Sequence, residues 1–120
     1  MADPQSPEIE VQNGVTVVQL GPDYDSLGDH LLDELNDVLL KCAQTADPPK
    51  IVIDLSHTAF FGSSFLEVLL QMWKVLSERE GNAFALSGLN ENCAEVLHVT
   101  QLDSLWQIFD TKKAAVEALA

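Results

Sequence analysis

The chain has 120 residues, enough for one buried core and too few for two. Apolar residues make up 47% of it and charged residues 21%, the balance of a globular rather than a disordered protein. Six Lys and Arg stand against 19 Asp and Glu, and the resulting −13 repels phosphate backbones and anionic lipid, excluding nucleic-acid and membrane-surface binding as leading readings.

Residues 1–7 carry two prolines and no apolar period, and are expected to be a loose lead-in to a domain over residues 8–120. "EIEVQNGVTVVQL" then holds two short alternating runs around Asn13-Gly14, a hairpin signal that predicts two antiparallel strands. In the following stretch Leu27, Leu31, Leu32, Leu35, Val38, Leu39 and Cys42 recur at helical spacing. Asp29, Asp33, Glu34 and Asp37 give that helix an acidic outer face, Asp25 or Ser26 caps its start, and Pro48-Pro49 ends it.

"KIVIDL" is nearly continuous in apolar residues, as a strand buried on both faces should be. "FLEVLLQMWKVLSEREG" predicts a second, deeply embedded helix, with Gly81 as its stop. "NAFALSGL" reads as the next strand, and Asn90 caps a third helix containing Cys93, Val96 and Leu97. "LWQIF" is a last strand, and Asp110 or Thr111 starts a terminal helix through Ala114, Val116, Ala118 and Leu119. The order β-β-α-β-α-β-α-β-α predicts an α/β fold on a mixed, mostly parallel sheet, with the hairpin as its antiparallel member. Trp73 and Trp106 read as core or sheet-covering residues.

Cys42 and Cys93 are too few and too far apart for a disulfide framework, and both fall in helical stretches as small buried residues. The uncharged run Leu55–Leu66 holds His57 and three serines and is shorter than the roughly 20 residues of a membrane span. The acidic start lacks the basic and apolar regions of a signal peptide, so a cytoplasmic chain is expected.

"TAFFGSSFLEVLL" is the stretch with chemistry to explain. Ser64 followed by Glu67 fits a capping box, which satisfies orphan N–H groups at a helix start. Ser63 then falls one position earlier, in a strand-to-helix turn. Such turns, at the carboxyl ends of parallel strands, form the rim where ligands and partners dock. A phosphate on Ser63 would lie near the positive end of the helix dipole, which tolerates the added charge.

Asp54, His57 and Ser63 lie close in sequence, but a Ser-His-Asp triad depends on geometry that proximity does not supply, and no Gly-x-Ser-x-Gly elbow is present. His30, His57 and His98 lack metal-ligand spacing, and "GPDYDSLGDH" is acidic where a phosphate cradle should be neutral or basic. A non-enzymatic protein without metal or cofactor is expected.

From about Glu8 to Leu119 the chain resembles the STAS domain, the fold of bacterial anti-sigma factor antagonists. The likeness is carried by Asp54-Leu55-Ser56, then Gly62-Ser63-Ser64-Phe65-Leu66, Val96-Leu97, and Leu102-Asp103-Ser104-Leu105-Trp106. It implies a protein that binds an anti-sigma factor which is also a serine kinase, and that the kinase switches off by phosphorylating Ser63. It also implies that Asp23, Tyr24 and Asp25, in the loop before the first helix, flank the same surface. The expected contact face is therefore Asp23, Tyr24, Asp25, Gly62, Ser63, Ser64 and Phe65. Two positions depart from the family pattern: Gly62 stands where the family has Asp, and Phe65 where it has Gly. The other role the resemblance allows is a constitutive scaffold, in a sensory assembly or beside a phospholipid-transport ATPase. Oligomeric state and partner identity are not legible.

Overall fold

The computed structural model describes residues 8–20, 23–24, 29–56, 58, 60–61 and 63–120, with the backbone alone for 23–24, 29–32, 60–61 and 63–64. The lead-in at 1–7, the proposed caps Asp25 and Ser26, and residues Leu27, His57 and Gly62 lie outside the described residues.

Strands β1 (Glu8–Gln12) and β2 (Val15–Gln19) form the opening hairpin. Asn13 and Gly14 take φ of 52° and 80°, the left-handed pair that a two-residue turn requires to match strand twist. A two-residue strand β3 (Asp23–Tyr24) and helix α1 (Asp29–Thr45) follow, then β4 (Lys50–Asp54), a second two-residue strand β5 (Phe60–Phe61) and helix α2 (Ser63–Ser77). The chain closes with β6 (Ala83–Ser87), α3 (Glu91–Val99), a 3₁₀ turn at Leu102–Ser104, β7 (Gln107–Phe109) and α4 (Lys112–Leu119). The main sheet has the order β1-β2-β4-β6-β7, antiparallel between β1 and β2 and parallel elsewhere. This is the expected mixed α/β architecture.

Strand alternation divides the interior in two. Val18, Leu20, Ile51, Ile53, Leu55, Phe84 and Leu86 face one side and pack against Leu35 and Leu39 of α1, Phe65, Leu69, Met72 and Leu76 of α2, and Cys93 and Leu97 of α3. Val15, Val17, Val52 and Ala85 face the other side and meet Ala115, Val116 and Leu119 of α4. Central strands covered on both faces must be apolar at successive positions, which is why Ile51, Val52 and Ile53 follow one another within "KIVID". Asp33, Glu34 and Asp37 of α1 are exposed, as expected of its acidic face.

Three local expectations need correction. Helix α2 begins at Ser63, so Ser64 is its second residue and the Ser64–Glu67 capping box does not open it. The same helix ends at Ser77, four positions before Gly81. Asn82 Nδ2 donates to the carbonyls of Ser77 at 3.3 Å and Arg79 at 2.8 Å, supplying donors to the acceptors that a helix end leaves over. The last strand excludes Leu105 and Trp106, because Leu102–Ser104 curl into a 3₁₀ turn whose Leu102 carbonyl accepts from both of their amides at 3.0 Å. Trp106 is instead a core residue, edge-on to Phe84 at 5.3 Å between ring centroids. Helix α4 runs through Ala114, Val116, Ala118 and Leu119 as expected, and buries Ala115, Val116 and Leu119.

Candidate functional site

The parallel strands β2, β4 and β6 end together, and the loops leading to α1, α2 and α3 leave from that edge. A buried polar cluster holds it. Asp54, 2% exposed at the last position of β4, accepts from Ser56 Oγ at 2.8 Å and from Ser87 Oγ at 3.1 Å. Ser87 is itself fully buried, the last residue of β6 and the register partner of Asp54. A carboxylate taken out of water persists when donors surround it, and these two hydroxyls, with the Ser56 amide at 3.4 Å, supply them. The Asp-Leu-Ser segment is thus a latch between a strand end and the loop that follows it.

Gly88 completes the latch. Its φ is +74°, and an added Cβ would stand 2.7 Å from the Ser56 Cβ and 2.8 Å from the Ser56 nitrogen. No other residue type fits both the left-handed backbone and the space. Further along the loop, the Thr58 amide donates to the Leu55 carbonyl at 2.9 Å. The Thr58 carbonyl accepts from Asn90 Nδ2 at 3.5 Å and from the Cys93 thiol at 3.9 Å. Asn90 also caps α3, its Oδ1 accepting from the Cys93 amide at 2.8 Å. The loop before α2 is therefore tied to two elements, β6 and the start of α3.

The expected contact residues converge by a device too short to have a sequence period. β3 pairs in parallel with β5, Asp23 opposite Phe60 and Tyr24 opposite Phe61. This second sheet joins the loop before α1 to the loop before α2, two residues short of Ser63. Ser63 and Ser64 are the first two residues of α2, a helix of 15 residues with no acidic side chain in its first turn. Asp25 and Gly62 lie outside the described residues. Phe65 departs from its expected place on the contact face, because its ring is 0% exposed and belongs to the α1–α2–α3 side of the core. A large apolar ring in the first turn of an embedded helix points inward with Leu69 and Met72 and supports the rim from beneath.

The latch residues Ser87 and Gly88 and the tie from Thr58 to Asn90 escaped the sequence reading, although a glycine directly after an apolar strand was a visible signal. The Cys93 thiol is pushed up from its ordinary range by burial; that of Cys42 is pushed up by burial and partly held down by Lys41. Both fit small core residues rather than nucleophiles. Among the described residues no three His, Cys, Asp or Glu side chains group as metal ligands, and no helix is long and apolar enough to cross a membrane.

The family model for the STAS domain matches residues 6–115, and the chain belongs to that family. A solved anti-sigma-factor antagonist (STAS) domain protein from Planctomyces limnophilus is 31% identical, with 94% of this chain and 97% of that one covered at a TM-score of 0.82. An anti-sigma factor antagonist from Mycobacterium paratuberculosis is 25% identical over 99% of this chain and 98% of its own, at 0.78. The Bacillus cell fate determinant SpoIIAA in its phosphorylated form shares the fold, at 15% identity, coverage of 96% and 100%, and a TM-score of 0.70.

Proposed function

We propose that the chain is a non-enzymatic anti-sigma factor antagonist of the cytoplasm. It binds a partner that is both anti-sigma factor and serine kinase, and phosphorylation of Ser63 ends the contact. The observation that carries this reading is the β3–β5 pairing, which brings Asp23-Tyr24 beside the strand that leads into Ser63. The 31% identity to a protein described as an anti-sigma-factor antagonist supports the same class. The contact face is Asp23, Tyr24, Asp25, Gly62, Ser63 and Ser64, with Phe65 as the buried support of the helix start.

The switch follows from charge. A phosphoserine adds about −1.5 to −2 at neutral pH. At the first residue of a helix the fold tolerates that charge, because the dipole's positive end and the unpaired N–H groups favour an anion. A partner steered toward a −13 surface carries basic groups, but a contact packed around a neutral hydroxyl has no room for a hydrated phosphate. The test is to incubate the chain with the purified kinase and ATP, map the phosphate by mass spectrometry, and measure affinity before and after. Phosphate on Ser63 with at least about tenfold weaker binding, or 1.4 kcal/mol, is the expected outcome. An unmodified Ser63 would overturn the switch.

Gly62, standing where the family has an acid, is the observation that favours a constitutive scaffold instead. In that case the stable partner is a sensory assembly or a transporter ATPase, and pull-down followed by identification of the partner's ATPase fold separates the two.

A further inference from the structure

The β1 edge of the main sheet has features that the rim does not use. Among the described residues β1 pairs with β2 alone, so its other side is an unpaired edge. The two-residue turn makes Gln12 and Val15 the pair that exchanges both backbone bonds, and the pattern alternates from there. Glu8, Glu10 and Gln12 therefore direct their backbone groups at β2, while the N–H and C=O of Ile9 and Val11 point to the open edge.

The same two residues present apolar side chains to solvent, Ile9 at 48% exposure and Val11 at 67%. They stand opposite Val18 and Thr16, on the side of the sheet that α1, α2 and α3 cover, but beyond the cover. Glu8 and Glu10 occupy the other face, where Glu10 meets Lys112 at 3.3 Å, and a surface recess is lined by Glu8, Ile9, Glu10, Gln19 and Lys112. The edge is thus apolar on one face, net acidic on the other, and carries two donors and two acceptors between them.

We propose that β1 is a docking edge for an extended protein segment of alternating apolar and basic residues, captured by strand addition. Backbone bonds to Ile9 and Val11 would hold such a segment. Its apolar side chains would cover those of Ile9 and Val11, and its Lys or Arg residues would stand across from Glu8 and Glu10. Charge complementarity selects this occupant over a second copy. Two chains of −13 repel, and antiparallel self-pairing centred on Glu10 would set that carboxylate against its own copy. The proposal goes beyond the role of the rim and stands whichever protein touches Ser63.

The test uses the full chain and a synthetic capped peptide of alternating Lys and Val, with amide exchange followed by NMR at about 0.15 M salt. Exchange at the Ile9 and Val11 amides should slow at least tenfold on binding, with no change at residues 63–66. Val11→Pro, which deletes an outward donor, and the double variant I9K/V11K should each weaken binding at least tenfold. If the proline variant loses its hairpin signals, the Lys variant, altered only in exposed side chains, carries the result. Equal binding of a peptide of the same charge interrupted by prolines would overturn strand addition. So would no binding, unchanged exchange at Ile9 and Val11, or protection of those amides in a dimer without peptide.

Discussion

Replacing Asp54 and Ser87 by alanine, singly and together, asks whether the latch at the strand ends is a coupled unit. In Asp54→Ala the Ser56 hydroxyl, on an exposed residue, turns to water at little cost. The Ser87 hydroxyl, 0% exposed, has no such recourse, and leaving it unpaired costs about 1–3 kcal/mol. Ser87→Ala removes a hydrogen bond to a buried carboxylate, worth about 1.5–3 kcal/mol. The double variant leaves neither an orphaned hydroxyl nor an under-solvated carboxylate, so its loss should fall short of the sum of the two by about 1–2 kcal/mol. Urea unfolding of the four proteins measures this. Exchange at the Thr58 amide, bonded to the Leu55 carbonyl beside the latch, should quicken in both single variants. Losses that add to within about 0.5 kcal/mol would refute the reasoning, because they would mean that the 3.1 Å contact between Asp54 and Ser87 carries no coupling.

Three further outcomes follow from the same geometry. Phe65→Ala should cost about 3–5 kcal/mol in denaturant unfolding, since its ring is wholly buried between helices; a loss below about 1 kcal/mol would place the ring at the surface. Gly88→Ala should destabilise by more than the roughly 1–2 kcal/mol of a left-handed alanine, because the new methyl also meets Ser56 at 2.7 Å, and a neutral effect in a thermal melt would contradict that contact. Raised thiol pKa values leave less thiolate at a given pH, so alkylation of Cys42 and Cys93 should be slow at neutral pH. The rate should still climb past the ordinary value of 9.0, and a rate that levels off below it would contradict their burial.

Much of the fold was legible wherever one residue type had one physical use. Asn13-Gly14 could hardly be anything but a hairpin turn, and Asn90 was readable as a cap, its side chain accepting from the amide three residues on. For α4 the sequence left Asp110 or Thr111, and the structure selects Thr111, which accepts from the Ala114 amide. The buried stripes of α1 and α2 followed from large side chains at helical spacing. Where several residues shared a use, the reading slipped. Ser63 and Ser64 are equally good helix starters, and only the backbone shows that the helix begins at the first. Two-residue strands such as β3 and β5 have no period at all, yet their pairing makes the candidate site. Asp54 looked like the polar end of an apolar strand; its partner Ser87 is 33 residues away, a separation only the sheet register closes.

The central claim is that a partner protein meets this chain at the rim where β3, β5 and the start of α2 converge. The direct measurement is the footprint of the purified partner on the backbone amides, read as NMR shift changes in the unphosphorylated chain. Changes confined to residues 23–24, 60–61 and 63–66, with α4 silent, are the predicted result. A footprint on α4 that leaves the amides of Ser63 and Ser64 untouched would contradict it.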